Sequence, residues 1–295
     1  MVLEKPIIFL GVSRSGTTII SEIIFQHQAL AWPSTYQTKY PDKGWINKVR
    51  PLLDNSSWSL RGQKPQLNKI PFYNKYAFKP SEAYVFWNHI TGFALPFSKN
   101  FLLHQKAHPQ DKERIRMIFE KLVTYQKRKR LAFKITGPGR VSYLHSIFPD
   151  AIFIEIVRNP WANIRSLLNV PFWKSRGMHQ LWWQGAYTEN EEKMAESLKN
   201  KPALITAMQY CKIRQTTSEE AAMNKVELHS FAYDDFIKDP KHVLSKILSV
   251  TGLQNCSSID KYLSINKIYN RNINPSDFFT TEDKLIMNEM LKDYL

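Results

Sequence analysis

Residues 11 to 18 read Gly11-Val12-Ser13-Arg14-Ser15-Gly16-Thr17-Thr18. This is the G-x-x-x-x-G-T-T spacing of a loop that cradles phosphate. Gly11 and Gly16 permit tight turns and close approach of an anion. Successive backbone N–H groups in such a loop converge on phosphate oxygens. A helix opening near Thr17 adds free N–H groups and the positive end of its dipole. Ser15, Thr17 and Thr18 add hydroxyls, and Arg14 adds a permanent cation with a planar fork of donors. A nucleotide triphosphatase carries lysine where Thr17 stands and needs a magnesium site. Here no acidic partner follows a strand, because the apolar run Ala151–Val157 ends in Arg158. The spacing therefore disfavours ATP or GTP with magnesium, and no metal is expected.

A second basic constellation lies at Arg158-Asn159-Pro160, with Ser166 eight residues beyond the arginine. Pro160 suits the first turn of a helix. An arginine at a strand end and a serine two turns along the next helix can face one phosphate. Ligands of parallel α/β sheets bind at the carboxyl ends of the strands. Arg158 is thus expected on the same edge as the Ser13–Thr18 loop.

The elements that must position these residues follow from periodicity. Ile7–Val12, Leu131–Ile135, Ala151–Val157 and Val226–Phe231 read as buried strands, short and rich in branched or aromatic residues. Helical spacing runs through Thr17–Gln28, Lys112–Lys127, Pro160–Leu168 and Pro202–Met223. The alternation predicts an α/β fold, a central parallel sheet flanked by helices, P-loop-like in its first turn. Residues 1–295 are read as one domain. Within it, residues 32–106 hold many Pro, Asn, Lys and aromatic side chains with weak periodicity. Aromatics at Trp32, Tyr36, Tyr40, Trp45, Trp58, Tyr84, Phe86 and Trp87 argue against disorder. This stretch is read as an ordered, irregular cap that shapes a pocket, with Phe172–Tyr187 as a second piece of the same wall.

Lys and Arg number 41 against 26 Asp and Glu, a formal charge of +15. Such a surplus suits a protein that handles polyanions, from nucleic acid to a highly charged nucleotide. Cys211 and Cys256 are the only cysteines, which argues against a cysteine-based zinc site. No apolar run approaches ~18 residues, and the first residues lack a signal-peptide pattern. A soluble, cytoplasmic protein is expected, with no membrane partner. Oligomeric state is not legible.

The two motifs together resemble the sulfotransferases that use 3′-phosphoadenosine 5′-phosphosulfate. SRSGTT is similar to their 5′-phosphosulfate loop, above all in the P-R-S-G-T-T form of bacterial and tyrosylprotein members. VRNPWANIRS is similar to their 3′-phosphate motif, and FPDAIFIEIVRNP to the strand that leads into it. SFAYDDFIKDP resembles their Y-E-D-L…D-P segment, with Tyr233 in the tyrosine place. The resemblance spans residues 6 to about 255. It implies that Ser13, Arg14, Ser15, Gly16, Thr17 and Thr18 hold the 5′-phosphosulfate. It also implies that Arg158 and Ser166 hold the 3′-phosphate and that Tyr233 meets the adenine end. The family's C-terminal R-K-G motif is absent, with Lys267 and Arg271 as stand-ins.

The resemblance also implies a metal-free sulfuryl transfer in which Arg14 stabilises the developing charge. The acceptor is expected to be a small organic molecule with a hydroxyl or amine, such as a secondary metabolite, rather than nucleic acid. The family's bases do not carry over. Trp32-Pro33-Ser34-Thr35-Tyr36 lacks the glutamate of tyrosylprotein-type members. Lys134-Ile135-Thr136-Gly137-Pro138 lacks the histidine of cytosolic members. Glu82 and His89, in SEAYVFWNHITG, are the expected general bases, ahead of Asp42, His104 and His108. Two other readings are a small-molecule or nucleoside kinase with an atypical loop, and a basic polyanion-binding module built on patches such as Lys127-Arg128-Lys129-Arg130.

Overall fold

The computed structural model of the protein describes residues 3–53, 78–92, 96–266, 268–270, 272 and 278–295. Five parallel strands form one sheet in the order β2-β3-β1-β4-β5, with β1 at Ile7–Gly11, β2 at Leu30–Ala31, β3 at Arg130–Thr136, β4 at Ile152–Val157 and β5 at Leu228–Ala232. The four expected strands are present, displaced by one or two residues at some ends. Only two residues make up β2, too short for any period to show. β5 was expected to be buried, but it is an edge strand whose residues stay half-exposed. It has a neighbour on one side only.

Parity along the strands divides the core. Ile8, Leu10, Leu131, Phe133, Ile135 and Phe153 face one side and pack on Trp87, Phe119 and Leu144. Ile7, Phe9, Ala132, Ile154 and Ile156 face the other and pack on Ile20, Ile23, Ile24 and Leu244. A period of two on a sheet covered on both faces produces this division.

The helices that matter for the site are α1 (Thr17–Ile24), α2 (Tyr84–Ile90), α3 (Pro109–Tyr125), α4 (Pro160–Leu168), α5 (Pro202–Met223) and α6 (Tyr233–Lys238). α4 and α5 keep the expected bounds. α1 is shorter than Thr17–Gln28, because the Gln26 and His27 N–H groups bond to carbonyls three residues back. α3 starts at Pro109, three residues before the expected Lys112, with proline in its first turn, where the missing N–H costs nothing.

Strand register sets the functional edge. Gly11 lies opposite Thr136, and Val157 lies opposite Ala232. The residues that leave the strands next are therefore neighbours: the 12–16 loop beside Thr136 and Gly137, and Arg158 beside Tyr233. Among the described residues no helix is long and apolar enough to cross a membrane.

Candidate functional site

The 12–16 loop is held from below by a residue with no obvious signal in the sequence. Asn163, fully buried on α4, has its side-chain amide 3.2 Å from both the Ser13 carbonyl and the Ser15 nitrogen; the amide orientation that satisfies both has its NH2 donate to the carbonyl and its oxygen accept from the N–H. Ser15 Oγ and Thr17 Oγ1 bond to each other at 2.6 Å under the loop. Ser13 Oγ donates to Thr136 Oγ1 at 3.1 Å. Replacing Asn163 by leucine removes two loop bonds and strands buried polar groups at about 1–3 kcal/mol each. The expected result is a lower melting temperature together with weakened nucleotide affinity, both read by thermal shift.

Gly16 caps α1 at φ 95° with no side-chain hydrogen bond at the cap, so the helix N–H groups are presented to an incoming anion. A Cβ on Gly16 would come within 2.1 Å of the Tyr233 ring and 2.6 Å of a second ring carbon. This close approach, at a left-handed φ, explains the glycine. Gly16→Ala is expected to destabilise the protein by about 1–3 kcal/mol from the clash, with a further penalty for the φ. The double variant Gly16→Ala/Tyr233→Ala should recover the clash part of the lost melting temperature and not the φ part.

Arg14 and Ser166, expected on different phosphates, meet: Arg14 Nε donates to Ser166 Oγ at 3.1 Å. Arg158, 8% exposed, donates from Nη1 to the Arg14 carbonyl at 2.9 Å and lies 5.0 Å over the Tyr233 ring. Its Nε donates to Asn272 Oδ1 at 2.8 Å, and Asn272 in turn bonds Asp234. Both basic motifs and Tyr233 thus form one cluster at the carboxyl edge of the sheet. Lys267 and Arg271, the expected C-terminal stand-ins, lie outside the described residues; Asn272 is the C-terminal side chain seen on Arg158.

The cluster floors a cleft of about 780 Å³. Tyr84, Val85 and Asn88 from α2 form one wall, and Phe172, Trp173, Trp182 and Trp183 form another. Trp183 comes close to the loop edge, since a Cβ on Gly137 would meet its ring at 2.7 Å. Trp173 Nε1 donates to Thr206 Oγ1 at 2.9 Å. Not all aromatics of the cap line the cleft. Trp32, Phe86 and Trp87 pack into the core, Trp45 is 60% exposed, and Trp58 lies outside the described residues.

The two expected bases part company. Glu82 lines the cleft. His89 faces away and lines a separate hollow with Asp42, Phe86 and Tyr125. Helical geometry is the reason: Tyr84, Val85 and Asn88 share one side of α2, and Phe86, His89 and Ile90 the other. His89 is therefore corrected as a candidate for this cleft. His104 and His108 are absent from its walls.

Sequence reading also passed over Glu22 and Lys134. Glu22 lines the cleft one turn beyond Thr18. Lys134, 5% exposed on β3, donates to Thr18 Oγ1 at 2.9 Å and stands 3.9 Å from Glu22. A cation thus reaches the loop region from the neighbouring strand rather than from position 17. The signal was present as a lysine within an apolar strand, which is rarely buried without partners.

The Tyr84 hydroxyl donates to the Thr136 carbonyl. Burial first, and then the Glu82 charge, push its pKa well above the usual phenol range. It is a neutral donor at physiological pH and no base. Arginines 14, 158 and 176 with Lys99 outnumber Glu22 and Glu82 along the walls, so the cleft attracts anions. Among the described residues no group of three or more His, Cys, Asp or Glu side chains could hold a metal ion.

Comparison with known proteins agrees with this geometry. The model of the sulfotransferase family matches residues 6–256. The omega-hydroxy-beta-dihydromenaquinone-9 sulfotransferases Stf3 of Mycobacterium bovis and Mycobacterium tuberculosis are each 22% identical over 98% of this chain and 74% of theirs. Among solved structures, sulfotransferase STF9 from Mycobacterium avium superposes with a TM-score of 0.64 at 17% identity, over 100% of this chain and 77% of that one. Sulfotransferase STF1 from Mycobacterium tuberculosis H37Rv does so at 0.56 and 15% identity, over 99% and 77%. These structural likenesses carry the fold.

Proposed function

The chain belongs to the sulfotransferase family, and we propose that it moves a sulfuryl group from 3′-phosphoadenosine 5′-phosphosulfate to a hydroxyl or amine of a small organic acceptor. The observation that supports this donor is the joined cluster of Arg14, Ser166 and Arg158 around an uncapped helix start. One cradle is formed by the loop and a second by the arginine at the end of β4. A nucleotide with phosphate at two positions fits such a pair. The close approach of Tyr233 to Gly16 sets an aromatic face beside them for the base. Lys134 on Thr18 adds charge without the position-17 lysine of a triphosphatase.

When bound, the donor supplies a sulfuryl group that accepts a nucleophile in line with a departing phosphate oxygen. The residues of this chain do the rest. Loop N–H groups and Arg14 hold the charge that gathers on the leaving oxygen, a preorganised electrostatic effect. Glu82 takes the proton of the acceptor hydroxyl or amine. The aromatic walls hold the acceptor and exclude water, which shortens the search for a reactive geometry. An alcohol becomes a sulfate ester, the bisphosphate leaves, and one proton is released. The free thiols of Cys211 and Cys256 suit a reducing cytoplasm, where we place the reaction. The acceptors named for the Stf3 proteins support an apolar hydroxyl compound as the kind of molecule to try first.

Thermal shift with 3′-phosphoadenosine 5′-phosphate, with ATP and magnesium, and without ligand tests the donor. At 100 times its dissociation constant the bisphosphate should add about 2.7 kcal/mol and raise the melting temperature by several degrees. No shift, or an equal shift with ATP, would overturn this donor assignment.

A further inference from the structure

We propose that the acceptor carries an anionic group, a carboxylate or its like, on an aromatic or apolar body, and that Lys99 and Arg176 recognise it. This rests on reading the cleft as the acceptor site. Both cations stand over the Trp182 ring: Lys99 Nζ is 5.1 Å from its centroid and the Arg176 guanidinium carbon 4.8 Å. All three line the cleft. Neither cation pairs with a carboxylate among the described residues.

The arrangement is built rather than incidental. Gln184 N–H donates to the Lys99 carbonyl at 2.8 Å, and Phe101 N–H donates to the Gln184 carbonyl at 2.9 Å. These bonds tie the Lys99 segment to the tryptophan segment. Gln209, 1% exposed on α5, accepts from Trp182 N–H at 2.8 Å and donates to the Gly177 carbonyl at 2.8 Å. A buried helix thereby fixes the Trp182 backbone and the turn just after Arg176. Little loop entropy is then left to lose on binding.

Position assigns the two cations to the acceptor rather than the donor. The phosphate cradles already hold Arg14 and Arg158. Lys99 and Arg176 belong instead to the aromatic wall, whose Trp183 reaches Gly137 beside the loop edge. A cation stacked on an indole is partly desolvated and turns its remaining donors outward. An anion set against two such cations gains charge-assisted hydrogen bonds that a neutral acceptor cannot make. The hydroxyl or amine to be sulfated would lie at the Thr136 end and the acidic group at the Trp182 end.

Calorimetry with a matched pair of probes tests this. 6-Hydroxy-2-naphthoate and 2-naphthol differ only in the carboxylate. Each is titrated into the protein with and without 3′-phosphoadenosine 5′-phosphate. The naphthoate should bind about tenfold more tightly, the scale of a charge-assisted contact. Lys99→Gln/Arg176→Gln should collapse that preference, and Lys99→Arg/Arg176→Lys should restore it. Equal binding of the two probes, or a preference untouched in the glutamine variant, would overturn the proposal. So would a glutamine variant whose main loss is affinity for the bisphosphate, because the cations would then serve the donor. The readout needs no turnover. A protein that prefers the naphthoate yet never sulfates either probe with phosphosulfate would count against the transfer reading and leave the acceptor class standing.

Discussion

Arg14→Ala is expected to lower kcat/KM by about 10²–10³-fold, the usual effect of removing one preorganised donor from a site of developing charge. Three features lead to that magnitude. Arg14 sits at φ 75° inside the loop, its Nε is held on Ser166 Oγ, and its carbonyl receives Arg158. The guanidinium is therefore positioned before any ligand arrives, and little reorganisation is needed during reaction. Arg14→Lys keeps the charge and loses the planar fork, so its activity should fall between parent and alanine variant. Ser166→Ala should cost less, since it frees the guanidinium without removing it. Steady-state kinetics with radiolabelled phosphosulfate measure all three. An alanine variant within a few-fold of the parent would remove Arg14 from the transfer step.

Glu82→Gln is expected to lower kcat by about 10²–10⁴-fold, the range for loss of a positioned general base, while the bisphosphate still binds. The shape of the carboxyl is kept and only its basicity is lost. Two carboxylates line the cleft, and their surroundings separate them. Glu22 stands 3.9 Å from Lys134, which also bonds Thr18. Its charge thus supports a cation at the loop. Glu82 lies near Tyr84, whose hydroxyl marks the Thr136 end of the cleft. Glu22→Gln should therefore weaken bisphosphate affinity more than kcat. The reverse pattern, with kcat lost in Glu22→Gln and kept in Glu82→Gln, would move the base to Glu22. A thermal-shift titration beside each rate measurement separates the two outcomes.

Much of the proposed donor end was legible because it depends on local chemistry. Gly16 and the hydroxyls around it act through backbone turns and a helix start, and both are written in contiguous residues. Strand period and the Pro160 start of α4 were readable for the same reason. Which expected base lines the cleft was not legible, because both lie in a stretch without clear periodicity. Glu82 precedes α2 and His89 sits on its far side, and only the folded chain separates them. Asn163 and Gln209 were invisible for a related reason. A buried amide has no sequence signature, and its worth lies in carbonyls and N–H groups brought from far along the chain.

By itself the sequence determined the type of sheet, the glycine-bounded turn after β1 and the arginine at the end of β4. Each rests on neighbours in the chain, where spacing dictates direction. Only the tertiary structure decided that Arg14 meets Ser166, that Lys134 serves the loop from another strand, and that Lys99 and Arg176 share one indole. Arg14 with Ser166, Thr18 with Lys134 and Lys99 with Trp182 are between 83 and 152 positions apart. At such separations the register of parallel strands and the packing of a buried helix choose the partner, and no local rule can.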